Sequence, residues 1–150
     1  MIKKVENIEE AIECNKLLTE LINEEKEYND NIKDDFIVSN YFENLYLDND
    51  KVLFIDIEDE KIVGYIYVKI NKLDDSNKNN LEAFIDGLYV IEGYRNRGIA
   101  TNLINKVKEY CLDNKISVIS LNVIYKNEIA KRLYEKLGFS YFSVNLKYNI

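Results

Sequence analysis

The sequence, 150 residues long, contains no histidine. That removes imidazole as a catalytic base and removes most zinc sites, which draw on His and Cys together. Cysteine is scarce as well: Cys14 and Cys111 are the only two. Both fall in apolar helical patterns without ligand spacing around them, so no metal is expected. Long apolar runs are missing, and nothing approaches the roughly 20 residues of a membrane span. The start, Met1-Ile2-Lys3-Lys4-Val5-Glu6, leads into acidic, periodic sequence rather than an apolar stretch of signal-peptide length. These absences predict a soluble, cytoplasmic protein with no membrane partner.

Positive charge is in short supply: 20 Lys and Arg face 27 Asp and Glu, a net −7. This argues against nucleic acid, whose phosphates are bound mainly by Lys and Arg. The shortage is uneven. Residues 1–90 carry 22 acids and 10 bases, whereas residues 91–150 carry 5 acids and 10 bases. The two halves either face partners of opposite charge or decorate two solvated surfaces.

What is present suits one domain over residues 1–150, with 47% apolar content for a single core. Ile8, Ala11, Ile12, Leu17, Leu18, Leu21 and Ile22 recur at helical spacing between Asn7 and Glu27, with Asn7 as cap and Glu10 three residues later. The link from Glu24 to Asp35 holds six acids against two lysines. Phe36, Ile37, Tyr41, Phe42, Leu45 and Tyr46 predict a second helix ending near Leu47. Val52–Ile57 and Ile62–Ile70 read as a hairpin reversing at Asp59-Glu60-Lys61, and Ala83–Val90 adds a third strand after a polar loop. A helix from about Gly98 to Asn114, a strand over Ser117–Ile124, a short helix stopped by Gly138 and a last strand over Phe139–Tyr148 complete the order. Helices, then an antiparallel meander, then alternating helix and strand describe a mixed α/β sheet.

Tyr94-Arg95-Asn96-Arg97-Gly98-Ile99-Ala100 lies between a strand and a helix and fits Arg-x-x-Gly-x-Ala. Free N–H groups at a helix N-terminus bind phosphate through hydrogen bonds and the helix dipole, and a glycine there admits close backbone approach. Arg95 and Arg97 can add charged contacts. The segment lacks the Gly-Lys-Ser/Thr ending of a P-loop and the three-glycine spacing of a dinucleotide fold.

With these motifs the chain resembles the GNAT superfamily of N-acetyltransferases. Asp86-Gly87-Leu88-Tyr89-Val90 looks like its fourth strand, Arg95–Ala100 like its Q/R-x-x-G-x-G/A signature, and Asn127, Ala130, Tyr134 and Gly138-Phe139 like its C-terminal motif. The resemblance is specific over residues 82–142 and rests on element order elsewhere. It implies a single-domain mixed sheet with helices on both faces and fourth and fifth strands that splay apart around the pantetheine arm of acetyl-CoA. Backbone groups of Leu88, Tyr89 and Val90 would line that arm. The amides of Arg95, Asn96, Arg97, Gly98, Ile99 and Ala100 would hold the pyrophosphate, and Asn127 would bond the pantetheine unless it serves only as a helix cap.

The resemblance further implies direct attack of an amine on the thioester, with Tyr134 as general acid and the Leu88 amide as oxyanion donor. Tyr134 also fits plain core packing. Asp86 is the favoured base, sharing a strand face with Glu82; other carboxylates, tyrosines and water stay open. In this family the first helices border the acceptor cleft, so the acidic half predicts a cationic acceptor: a polyamine, aminoglycoside, amino sugar, or peptide or protein amine. Such steering weakens with salt. A non-catalytic acyl-CoA-binding module of the same fold is the alternative. A homodimer would join copies through the final strand or a helix face.

Overall fold

In the computed structural model, which describes residues 1–150, five strands form one sheet in the order β1-β2-β3-β4-β5. They are β1 (Ile2–Lys4), β2 (Lys51–Glu58), β3 (Lys61–Lys72), β4 (Leu81–Val90) and β5 (Ile119–Leu121). Neighbours β1 to β4 pair antiparallel, and β5 joins β4 in parallel. The three helices are α1 (Ile8–Glu24), α2 (Ile99–Asp113) and α3 (Glu128–Lys136). This is the expected single-domain α/β sheet with helices on both faces. No helix is long and apolar enough to cross a membrane.

The two faces follow from the period-2 alternation of β3. Tyr65 and Tyr67 point to the α1 side, where both pack edge-on against Phe42 at 5.6 and 5.2 Å. Gly64 points to the α2 side, where an added Cβ would come within 3.3 Å of Ile99 and 3.4 Å of Leu103. The buried face of α2, Ile99, Leu103, Ile104, Val107 and Cys111, seals that side. Each large side chain so buried contributes about 1.5–3 kcal/mol. The core comprises 25 buried apolar residues.

α1 begins as the sequence predicts. The Glu10 amide donates to Asn7 Oδ1 at 2.9 Å, and the Glu6 amide donates to the Glu10 carboxylate at 2.9 Å. The helix stops at Glu24, and a 3₁₀ turn carries Glu25–Glu27.

The predicted helix over Phe36–Leu47 does not form; only a 3₁₀ turn at Phe42–Asn44 is present. A polar ladder on α1 provides the reason. Asn15 Oδ1 accepts from the Phe42 amide at 3.0 Å, Thr19 Oγ1 accepts from the Val38 amide at 3.0 Å, and Asn23 Nδ2 donates to the Phe36 carbonyl at 3.2 Å. These backbone groups are satisfied by side chains at i, i+4 and i+8 of α1, which holds the link alongside the helix rather than coiled on itself.

Three further differences concern the sheet. β1, too short to show a pattern, is an additional strand. The strand expected over Ser117–Ile124 shrinks to Ile119–Leu121. The last strand, expected over Phe139–Tyr148, does not form. Its alternation is present in the sequence, yet Phe142, Val144, Leu146, Tyr148 and Ile150 are 81–118% exposed. A strand exists only where an edge pairs with it, and no edge within the chain does.

Candidate active site

The site begins where β4 leaves β5. Their pairing runs Ala83↔Ile119, Phe84↔Ser120, Ile85↔Leu121 and then stops, while β4 stays paired with β3 as far as Val90. A cleft of about 130 Å³ opens between them, lined by Asp86, Gly87 and Leu88 on one wall and by Asn122, Val123 and Ile124 on the other. Asn127 and Tyr134 of the α3 region and Glu25 beyond α1 also line it. The expected splay of the two strands is therefore present.

A bulge in β4 sets the chemistry of that wall. Val68 faces Ile85 and Tyr67 faces Gly87, so Asp86 has no partner on β3. An extra residue of this kind re-aims side chains, and here Asp86 and Gly87 both turn toward the α1 side. Gly87 must lack a Cβ, because one would lie 2.9 Å from Tyr65 Oη. Beyond the bulge, the Ile91 amide donates to the Val63 carbonyl at 2.9 Å. By alternation, Tyr89 and Gly87 also pair inward, and the backbone groups of Leu88 and Val90 aim into the cleft. The Val90 carbonyl is already engaged, accepting from Arg95 Nε at 2.8 Å.

Beyond Val90, where β4 ends, the chain turns into α2. Asn96 and Gly98 have φ of 62° and 80°, left-handed values that Asn and Gly tolerate best. Together they gather successive amides into an anion-binding concavity. No backbone amide from Arg95 to Thr101 makes a well-formed hydrogen bond to a carbonyl within the chain, only a loose turn closing over Arg95 and Asn96, and the next along, Asn102, donates to Gly98 at 2.9 Å. Four orphan donors are normal for a helix start; this turn extends the set. An added Cβ at Gly98 would meet nothing within 4 Å, so the space over the turn is open.

The two arginines play different parts. Arg95 lies along the surface toward α1: its Nη2 contacts both carboxylate oxygens of Glu24 at 2.8 and 3.0 Å, and its guanidinium lies 5.2 Å over the Tyr89 ring. It thus ties the end of α1 to the turn, and Tyr89 donates to the same Glu24 at 3.0 Å. Arg97 stays outside, stacked 4.8 Å over Tyr94. Ile99 is buried in the core, so its amide, not its side chain, faces the turn.

Asn127 is the cap of α3, one of the two roles the sequence suggests. Its Oδ1 accepts from the Ala130 amide at 3.1 Å as the α3 cap, which leaves Nδ2 as a donor beside the cleft. Tyr134 packs edge-on against Phe139 at 5.7 Å. Burial, then the nearby Glu25, push its phenol up to about 12, so it is protonated at neutral pH. Burial followed by Glu10 and Glu13 pushes the Cys14 thiol to about 12, and burial raises that of Cys111. Neither thiol is a competent nucleophile.

Glu25 is a site residue that sequence reasoning passed over among six acids of one link. It lines the cleft with Asp86 and Tyr134, and burial raises its carboxyl above the ordinary range. Its only sequence signal is its place immediately after the last apolar turn of α1. Asp86 lies 3.5 Å from Lys69 Nζ as a half-exposed ion pair. Glu82 bonds Ser120 at 3.1 Å, bridging β4 and β5 away from the opening.

Comparison with known proteins points the same way. The acetyltransferase (GNAT) family model matches residues 15–139. An uncharacterised N-acetyltransferase of Methanocaldococcus jannaschii is 31% identical over 99 residues, covering 66% of this chain and 43% of its own length. This chain therefore spans less than half of that relative. Among solved structures, the BH1408 protein of Bacillus halodurans aligns over 100% of this chain and 99% of its own, with a TM-score of 0.89 and 21% identity. Aminoglycoside N-acetyltransferase AAC(6')-Iy, solved in complex with CoA, aligns over 100% and 98% with a TM-score of 0.77 and 17% identity.

Proposed function

The chain belongs to the acetyltransferase (GNAT) family, and on that footing we propose that it moves an acetyl group from acetyl-CoA to a primary amine. The observation that carries this reading is the cleft between β4 and β5, with Tyr134 on its wall and the amide-rich turn following β4 in the chain. The pantetheine arm would enter as an added strand against Leu88 and Val90. The Val90 carbonyl being engaged by Arg95, the Val90 amide and the Asn127 Nδ2 supply the free donors. The pyrophosphate would sit on the amides of residues 95–100, with Arg97 adding charge.

The acceptor arrives as an ammonium and must lose a proton before its nitrogen attacks the thioester carbon. Glu25 and Asp86 are the carboxylates at that point, and the raised pKa of Glu25 moves it toward the range useful to a base near neutrality. The new C–N bond pushes the carbonyl electrons onto oxygen, where the Leu88 amide donates a hydrogen bond. Collapse breaks the C–S bond. Tyr134, held protonated, donates to the departing thiolate; a thiol is the stronger acid, near 8.5, so the phenol stabilises the sulfur and the nitrogen's second proton ultimately neutralises it. With both cysteines buried and protonated, attack is direct, without an acyl-enzyme.

A non-catalytic module that binds acyl-CoA would keep the cleft and the turn but release nothing. Trapping free thiol while acetyl-CoA is mixed with protein and a panel of amines separates the two. The expected result is thiol release that depends on amine, with no acetylated protein by intact mass when amine is withheld. Binding of acetyl-CoA without thiol release across the panel would establish the sensor instead.

A further inference from the structure

A second opening lies on the α1 side of β4, about 540 Å³ in volume, within the size range of small-molecule sites. Its walls come from Leu18 and Ile22 of α1 and from Phe36, Ile37 and Val38 of the link that the Asn15–Thr19–Asn23 ladder holds in place. Ser39 and Tyr41 add the hydroxyls. Asp86 is the one charged residue of this lining, and it also lines the cleft between β4 and β5. The bulge thus puts a single carboxylate at the junction of two openings.

None of the six acids of the Glu24–Asp35 link lines this groove. Glu24 is bound to Arg95, Asp34 lies 3.9 Å from Lys26, and Glu25 faces the cleft. The link contributes apolar wall to the groove and acids to its surroundings. Lys69, 3.5 Å from Asp86, balances that carboxylate, and Glu25 in the adjoining cleft is left to match the charge of one incoming ammonium.

We propose that the acceptor is a small monoamine, one primary ammonium on an aliphatic or aromatic body, with the body in this groove and the nitrogen at Asp86. The inference rests on the acetyl-transfer reading and narrows its acceptor. A polyamine or aminoglycoside would set further ammonium or hydroxyl groups against Leu18, Ile22 and Val38, where they lose hydration without gaining partners. An apolar body gains from the same surface.

The test is kcat/KM by thiol release across propylamine, butylamine, pentylamine, hexylamine, 4-phenylbutylamine, spermidine, kanamycin and a tripeptide amide with a free N-terminus. Each methylene should raise kcat/KM roughly fourfold until the groove is filled, the factor that corresponds to about 0.8 kcal/mol per buried CH₂. 4-Phenylbutylamine should exceed spermidine, kanamycin and the peptide by about tenfold or more. Phe36→Ala, on a residue already 39% exposed, should lower the hexylamine-to-propylamine ratio. A flat chain-length series, or preference for spermidine, kanamycin or the peptide, overturns this inference and leaves acetyl transfer standing. No turnover with any amine overturns acetyl transfer and the inference with it.

Discussion

Tyr134→Phe is expected to lower kcat about 100-fold, the lower end of what losing one hydrogen-bond donor to developing charge costs, while the Kd for acetyl-CoA stays within about twofold. The substitution removes one oxygen and keeps the ring. The ring is what packs against Phe139 at 5.7 Å and forms the cleft wall beside Ala130, so the shape offered to the donor persists. The hydroxyl makes no hydrogen bond inside the chain, and its loss strands no partner. On the proposed mechanism its work begins only when sulfur carries negative charge, a condition of the transition state rather than of the bound thioester, so kcat should fall and affinity should not. Stopped-flow thiol release alongside calorimetric titration with acetyl-CoA separates the two quantities. Turnover unchanged in Tyr134→Phe would remove the residue from the mechanism.

Gly98→Val is expected to act on the other quantity, raising the Kd for acetyl-CoA about 100-fold or more, equivalent to ~2.7 kcal/mol. Two effects combine. Gly98 sits at φ 80°, a region hostile to β-branched residues, so the turn that gathers the amides is strained. An added side chain also projects into space empty of protein within 4 Å, the space through which a pyrophosphate would approach on the proposed reading. Gly138→Val is the control for strain alone: Gly138 has φ 95° and equally open surroundings at the end of α3, away from the turn. Both variants should lose thermal stability, and only Gly98→Val should lose affinity. Equal losses of affinity would mean that strain, not the turn, carries the effect.

The turn and the sheet were legible because each rests on local rules. Gly98 ahead of an apolar helical face after a strand marks an amide cradle, and the alternation of β2, β3 and β4 marks a meander. What was not legible depended on distant partners. Phe36–Leu47 has helical periodicity, yet Asn15, Thr19 and Asn23 take its backbone bonds, and nothing local to the segment announces this. The same rearrangement lines the groove beside α1 with Phe36, Ile37 and Val38 rather than with the acids of the link. Arg95 reads as a phosphate ligand until Glu24 is found against it across the fold. The bulge at Asp86 is invisible in sequence because it exists only relative to the register of β3. Residues 140–150 show the converse: a strand pattern with no edge to complete it.

Determination of a crystal structure with CoA bound tests the central claim most directly. The account predicts the pantetheine arm between Leu88 and Asn122, bonded to the Val90 amide and to Asn127, with the pyrophosphate on the amides around Gly98 and the sulfur at Tyr134. CoA bound elsewhere, or β4 and β5 closed upon each other with the cofactor absent at saturating concentration, would contradict it.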